Sequence, residues 1–283
     1  MEARTISFAC ALLLGAGLAS AQTAVVEAVQ YPAWLERGGN AVPLAPGTAL
    51  QAQDRLRTGG NARVQLKMPE GSAVRLGENA QFVIESAENR GVFRAALSVL
   101  AGAFRFTTDA ARRGQKRDIA IKVKNTTAGI RGTDLWGKST DERDIVCLLE
   151  GKITVGSEGH PTVTLDQPLD FYQKPRDGAP VVAKVDQNQI DTWVRETAIS
   201  ADAPAARAGG KWRVMAASFR TRDDALLLNR LLRTGGYPSE IIPREGSFAV
   251  VIPNLAGESE ARALMANLRA MPGIAAPVLL PSL

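Results

Sequence analysis

The chain has 283 residues, of which 45% are hydrophobic and 22% are charged, and its formal net charge is +5. This composition excludes a disordered protein, and the length allows two domains. Only 5% of the residues are aromatic, and no cluster of Lys and Arg is interleaved with them, so the sequence indicates no nucleic-acid partner.

The first 21 residues have the features of a cleavable secretory signal. Arg4 provides a positive start, residues 8–18 form an apolar core too short to span a bilayer, and Ala19-Ser20-Ala21 is a small-residue cleavage site. We therefore expect export to the periplasm, with no integral membrane segment after cleavage. The exported chain would hold one cysteine, Cys147, which lies in an apolar run and is predicted to be a buried hydrophobic residue.

Residues 22–186 are predicted to form a mainly β domain. Short segments of alternating polarity are separated by turn signals about every ten residues, which is typical of a sandwich or of a stacked solenoid. The clearest strand is Ile119, Ile121 and Val123, alternating with lysines. No helical period occurs before residue 187. Three carboxylates near one turn are predicted to form a solvated hairpin tip, namely Asp141, Glu142 and Asp144.

Several segments in this region together resemble a FecR-type periplasmic domain. They are WLERGG at 34–39, LRTGGNARVQL at 56–66, PEGSAVRLGENA at 69–80, VLAGAFRF at 99–106, IRGTDLWG at 130–137 and LLEGKITV at 148–155. The resemblance implies a β-rich, solenoid-like exported module for sensing or for protein binding. Its structural motif would consist of Arg131, Gly132, Thr133 and Trp136. Arg131 is predicted either to turn inward toward backbone carbonyls or to be an ordinary surface residue of a turn.

Residues 187–210 are predicted to connect two domains. Ile190, Trp193 and Val194 have helical spacing and predict a short helix with Trp193 packed on the β domain. Residues 200–210 are rich in Ala, Pro and Gly and are predicted to be a linker.

Residues 211–283 contain an internal repeat with a period of 36 residues. Trp212 corresponds to Phe248, Val214 to Val250, and the helical Leu228 to Leu264. Each unit has a strand–helix–strand pattern, and two units predict a ferredoxin-like βαββαβ fold: a four-stranded antiparallel sheet with both helices on one face. The other face would be open, and its shallow surface would suit an extended polymer.

This repeat resembles a SPOR domain through the first strand WRVMAASF, which fits the family pattern W-x-V-x-x-x-S-F, and through FAVVIPNLAGESEARAL in the second unit. SPOR domains bind peptidoglycan glycan strands that have lost their stem peptides, commonly at division sites. Carried over by position, the resemblance implies a set of glycan-binding residues, namely Met215, Ser218, Phe219, Phe248, Val250 and Ile252.

No pattern in the sequence predicts an enzyme, a metal site or a cofactor. The one histidine, His160, lies in a Gly-His-Pro turn, and no nucleophile dyad, metal-ligand spacing or phosphate-binding glycine loop is present. We therefore expect a wall-associated binding protein that holds denuded glycan strands through its SPOR domain and a second envelope protein through its FecR-like domain. The alternative hypothesis is a FecR-like sensor that passes a ligand or receptor signal to a membrane partner.

Overall fold

The computed structural model describes residues 23–89, 91–109, 116–130 and 132–280. The predicted signal at 1–21 lies outside the described residues. Within them, no helix begins before Gln187, as the absence of an earlier helical period predicted. The strands of this first part are β1 (Ala24–Gln30), β2 (Ala33–Arg37), β3 (Asn40–Pro43), β4 (Ala49–Leu50), β5 (Arg55–Thr58), β6 (Arg63–Lys67), β7 (Ala73–Leu76), β8 (Gln81–Asn89), β9 (Phe93–Thr107), β10 (Arg117–Val123), β11 (Thr126–Ile130), β12 (Asp134–Ser139), β13 (Arg143–Glu150), β14 (Ile153–Ser157), β15 (Val163–Leu165), β16 (Asp170–Pro175) and β17 (Val181–Lys184).

These strands form two sheets that share the long strand β9. The first sheet has the order β1–β6–β7–β9–β12–β13–β16–β17. The second has the order β3–β2–β5–β8–β9–β10–β11–β14–β15. Strand β9 changes sheets at Gly102, whose φ is +82°. A Cβ at this position would lie 2.5 Å from the Cα of Ala80, so only glycine fits the bend.

One apolar core lies between the two sheets. Alternate side chains of both halves of β9 enter it, represented by Leu97 and Val99 from the second sheet and by Phe104 and Phe106 from the first. The predicted strand at Ile119–Val123 contributes its apolar side in the same way, since Ile119, Ile121 and Val123 are buried. The domain is therefore mainly β and encloses its core as face-to-face sheets do.

Helix α1 (Gln187–Thr197) covers part of the outer side of the first sheet. Its Trp193 ring stacks on Trp136 with a centroid separation of 4.5 Å and an interplanar angle of 7°, and it meets Phe171 edge-on at 6.1 Å. The predicted packing of Trp193 on the β domain is thus confirmed. Cys147 is fully buried in the same cluster, and burial raises the pKa of its thiol to about 12, as expected for a residue that serves only in packing.

The segment predicted as a linker, 200–210, is not an unpaired tether. It contains strand β18 (Ala205–Arg207), which is antiparallel to β1, and Ala206 also pairs with Leu255 of the C-terminal unit. Ala203, Ala205 and Ala206 are buried. The small side chains that give this segment a linker-like composition instead allow close packing between the two units.

The C-terminal unit repeats one pattern twice. Its elements are β19 (Trp212–Phe219), α2 (Arg222–Thr234), β20 (Glu240–Arg244), β21 (Ser247–Leu255), α3 (Glu258–Arg269) and β22 (Val278–Leu280). The strands pair antiparallel in the order β22–β19–β21–β20. Helices α2 and α3 pack on the same face, where Leu228, Leu232, Leu264 and Leu268 share the main apolar core. Helix α2 begins at a side-chain cap, because the Asp224 amide donates to Thr221 Oγ1 at 3.2 Å.

The β domain meets the C-terminal unit at its helix side. Trp34 Nε1 donates to the Thr234 carbonyl at 3.0 Å, and the Tyr31 and Tyr237 rings lie 5.7 Å apart. A Cβ on Gly236 would lie 2.8 Å from the Trp34 ring, so the contact is close. Across the described ranges, no helix is long and apolar enough to cross a membrane.

Candidate functional site

The C-terminal sheet has one face without helices, which we call the open face. Side chains that are directly opposite each other on neighbouring strands point to the same face, so the pairing register assigns each residue. The open face is built around the pairs Met215–Val251 and Ser218–Ala249 on β19 and β21. The pairs on β20 and β22 extend it, so that its members are Arg213, Met215, Ser218, Glu240, Ile242, Arg244, Ser247, Ala249, Val251, Val278 and Leu280.

The open face has an apolar centre and a polar rim. Ala249, Val251 and Leu280 are buried, and Met215 and Ile242 pack against them as a cluster separate from the main core. The rim carries Arg213, the exposed Ser218 and the exposed Arg244. Among the described residues, the buried Nε of Arg213 has no hydrogen-bond partner. The accessible apolar surface of this face comes from Met215, Ile242 and the exposed Val278, and with donors around it this surface can contact the ring faces and hydroxyl groups of a sugar chain.

The predicted glycan-binding residues divide between the two faces. Met215 and Ser218 lie on the open face. The other four have their side chains among the residues under the helices; Val250 and Ile252 are fully buried, and Phe219 and Phe248 pack partly buried against the same core. A ligand on the open face cannot reach these four side chains, so we correct that part of the assignment.

A β-bulge in β19 explains why alternation alone would place Phe219 on the same face as Met215. The register between β19 and β21 shifts between Met215 and Ala217. Ala216 and Ala217 both pack on the helix side, and Met215 and Ser218 therefore share a face although they are three residues apart. The sequence analysis missed Arg213 and Arg244. The first could have been found from its i, i+2 relation to Met215, but the second needed the strand pairing.

The described contacts to the β domain come from α2, the turn after it and β18, and not from the open face. In the pairing of β18 with β21, Ala206 and Leu255 belong to the main apolar core under the helices and not to the open-face cluster. Among the described residues, no three His, Cys, Asp or Glu side chains are placed to hold a metal ion.

Comparison with protein families gives two matches on this chain. The FecR protein family model matches residues 54–154, and the SPOR domain model matches residues 208–278. Both resemblances and their order are confirmed. SPOR domains imply peptidoglycan binding and FecR domains imply envelope signalling, and both are non-catalytic. The two matches are typical of periplasmic or envelope proteins.

Two crystal structures of a proposed anti-sigma factor from Parabacteroides distasonis ATCC 8503 resemble the chain, each with a TM-score of 0.41. Their sequence identities are 13% and 12%, and each alignment covers 81% of this chain and 99% of the other. No curated protein matches the sequence.

The structure describes three of the four predicted motif residues of the FecR segment. Arg131 lies outside the described residues. Gly132 has a φ of +73° and open space where a Cβ would be, so it is needed for its conformation rather than for close approach. Thr133 is buried, with its amide donating to Thr108 Oγ1 at 3.0 Å. Trp136 is fully buried beneath Trp193.

The predicted solvated carboxylate cluster is only partly solvated. Asp141 and Glu142 are exposed, and a hydrogen bond with Thr140 lowers the pKa of Glu142. Asp144 is instead fully buried and accepts hydrogen bonds from Arg176 Nη1 at 2.7 Å and Nη2 at 2.8 Å.

Asp144 and Arg176 form a buried centre whose further hydrogen bonds connect separate segments of the β domain. Asp144 also accepts from Ser139 Oγ at 2.8 Å and from the Asn125 amide at 3.0 Å. Arg176 donates to the Thr140 carbonyl as well, and its hydrogen bond to Asp144 raises the pKa of the guanidinium. With its carboxylate saturated by partners, Asp144 is placed for structure rather than for proton transfer.

Proposed function

We propose that the protein is exported and that its SPOR segment holds peptidoglycan glycan strands on the open face. The single observation that carries this proposal is the set of donors around the apolar centre, Arg213, Ser218 and Arg244, on a sheet face that the β domain leaves uncovered. Loss of stem peptides frees the lactyl carboxylates of the glycan. Charge-assisted hydrogen bonds from the two guanidinium groups would recognise them.

The proposed domain organisation follows the sequence boundaries. It has a signal peptide at 1–21, a FecR-like β domain at 22–186, a connecting segment at 187–210 and a SPOR domain of ferredoxin-like fold at 211–283. In this proposal the mature protein is periplasmic and wall-associated, and the SPOR domain recruits it to the division site. The FecR-like domain serves as the protein-binding or scaffolding module.

Sedimentation with purified sacculi tests the glycan proposal. We expect the mature chain to sediment with sacculi, and to do so more strongly after amidase treatment removes the stem peptides. The Arg213→Gln/Arg244→Gln variant should bind about tenfold more weakly, because it loses both charged donors of the open face.

The matched control is Arg222→Gln/Arg230→Gln, which removes the same charge from the exposed helix α2. This control should sediment like the unmodified protein. Equal sedimentation of both variants, or no binding to amidase-treated walls, would reject the open face as the binding surface. A septal fluorescence signal from the mature chain that disappears with Arg213→Gln/Arg244→Gln would support the division-site role.

The FecR match favours a second candidate function, signalling to a membrane partner. In that case the β domain recognises a ligand or receptor, and wall binding only positions it. A strain that lacks the protein and is complemented with the Arg213→Gln/Arg244→Gln variant would then keep its transcriptional response to envelope signals. Loss of that response together with wall binding would instead mean that the two roles cannot be separated.

A further inference from the structure

The outer face of the second sheet carries a groove that neither family match explains. It crosses β10, β11 and β14 and has a volume of about 830 Å³. We call it the lysine groove, after Lys122, Lys124 and Lys174 in its lining. Glycines keep it open: a Cβ on Gly129 would lie 2.8 Å from Thr154 Oγ1, and one on Gly156 would lie 2.9 Å from Thr162 Oγ1.

The lysine groove has a net positive charge. Its charged lining consists of the three lysines and Glu158, so the net charge is +2. Lys122 and Lys124 are exposed, and in the described part of the chain neither ammonium group has an ion-pair or hydrogen-bond partner. Lys174 Nζ is held by the carbonyls of Pro175 and Gly178 at 2.8 and 2.9 Å. Three like charges on one concave surface favour a bound anion.

The groove is also fixed in place by the buried centre described above. The turn that carries Lys124 is anchored on both sides, by its own amide to the Val99 carbonyl at 3.0 Å and by the Asn125 amide to Asp144 at 3.0 Å. Where β13 pairs with β16, the backbone of Lys174 lies directly opposite that of Asp144. A site that is already ordered loses little conformational freedom on binding.

The chemistry of the lining selects the class of ligand. Lysine acts as a point charge toward carboxylate and phosphate groups, and the hydroxyl groups of Thr127 and Thr154 can add neutral donors. None of the described lining residues is aromatic, so the groove has no surface for stacking a sugar ring or a base. We propose that the lysine groove binds a multivalent anion that carries phosphate or carboxylate groups.

Calorimetric titration of the mature full-length protein with two probes tests this proposal. Inorganic pyrophosphate represents the phosphate source, and tricarballylate represents the carboxylate source. We expect one of them to bind at a single site in about 20 mM salt, where charges act over more than 20 Å. In Lys122→Gln/Lys124→Gln the dissociation constant should rise about tenfold or more.

The matched control is Lys67→Gln/Lys184→Gln, which removes two exposed lysines from the first sheet, outside the groove. It should bind like the unmodified protein. Absence of binding for both probes, or equal weakening in both variants, overturns the proposal. If the groove variant unfolds at a lower temperature than the control, Lys122→Gln alone replaces it. Wall sedimentation should be unchanged in these variants, so this test and the glycan test can fail independently.

Discussion

Asp144 shows how much one buried charge can matter in the β domain. Its carboxylate is fully buried and is neutralised by Arg176, which directly follows β16 and lies 32 positions further along the chain. Removing one partner of such a pair leaves the other charge uncompensated, which costs more than an intact pair contributes. The pair also fixes the turn of the lysine groove, so stability and the proposed anion site depend on the same residue.

The Asp144→Asn substitution should lower the free energy of unfolding by about 2–3 kcal/mol, somewhat below the cost for a fully buried pair, because the Arg176 side chain remains 18% exposed. Urea unfolding measures this change. Asp141→Asn in the same exposed turn is the control and should change stability by less than about 0.5 kcal/mol. Similar values for the two variants would contradict the structural role of Asp144.

At the scale of elements, α1 is held by the aromatic contacts of Trp193 more than by its own propensity. It has 11 residues, which is short for an isolated helix in water. Its Trp193 ring stacks on Trp136 and meets Phe171 edge-on. Tertiary packing therefore determines whether this segment is helical.

The Trp193→Ala substitution should destabilise the protein by about 2–3 kcal/mol, since it removes a large, partly buried ring from the outer cluster of the first sheet. Thr192→Ala, on the exposed side of the same helix, is the comparison and should cost much less. Thermal unfolding followed by circular dichroism reports both. If the two changes had equal effects, the aromatic stack would not be what holds α1.

At the scale of the whole molecule, the two units are joined by packed structure and not by a flexible connection. Strand β18 pairs with β1 and, through Ala206, with β21, and Gly236 packs against Trp34 and Pro32. The open face and the second sheet therefore belong to two units that are packed against each other. We expect the two units to unfold in a single transition.

The Gly236→Ala substitution should weaken this junction. Gly236 has a φ of +83°, and the new Cβ would also lie 2.8 Å from the Trp34 ring. Gly273→Ala is a matched control with a φ of +82° and open space around its Cβ position. Both variants bear the backbone strain of about 1 kcal/mol, but only Gly236→Ala should split urea unfolding into two transitions. Identical curves would mean that the junction contact contributes nothing to coupling.

Local pattern in the sequence was sufficient for a large part of this structure. Period-two alternation marked Ile119–Val123 as a half-buried strand, and the 36-residue repeat marked both helices of the C-terminal unit. The alternation of a strand and the apolar spacing of a helix depend on residues that are only a few positions apart in the chain. The segment orders of the FecR and SPOR resemblances are likewise properties of the linear chain, and both were confirmed.

Only the tertiary structure decided which side chains meet. The bulge at Ala216 put Met215 and Ser218 on one face, and the strand pairing placed Val250 and Ile252 on the face under the helices. The burial of Asp144 depended on Arg176, and the role of 200–210 depended on edges supplied by β1 and β21. Pairing register and long-range charge neutralisation join residues that are far apart in the chain, so no local pattern in the sequence contains them.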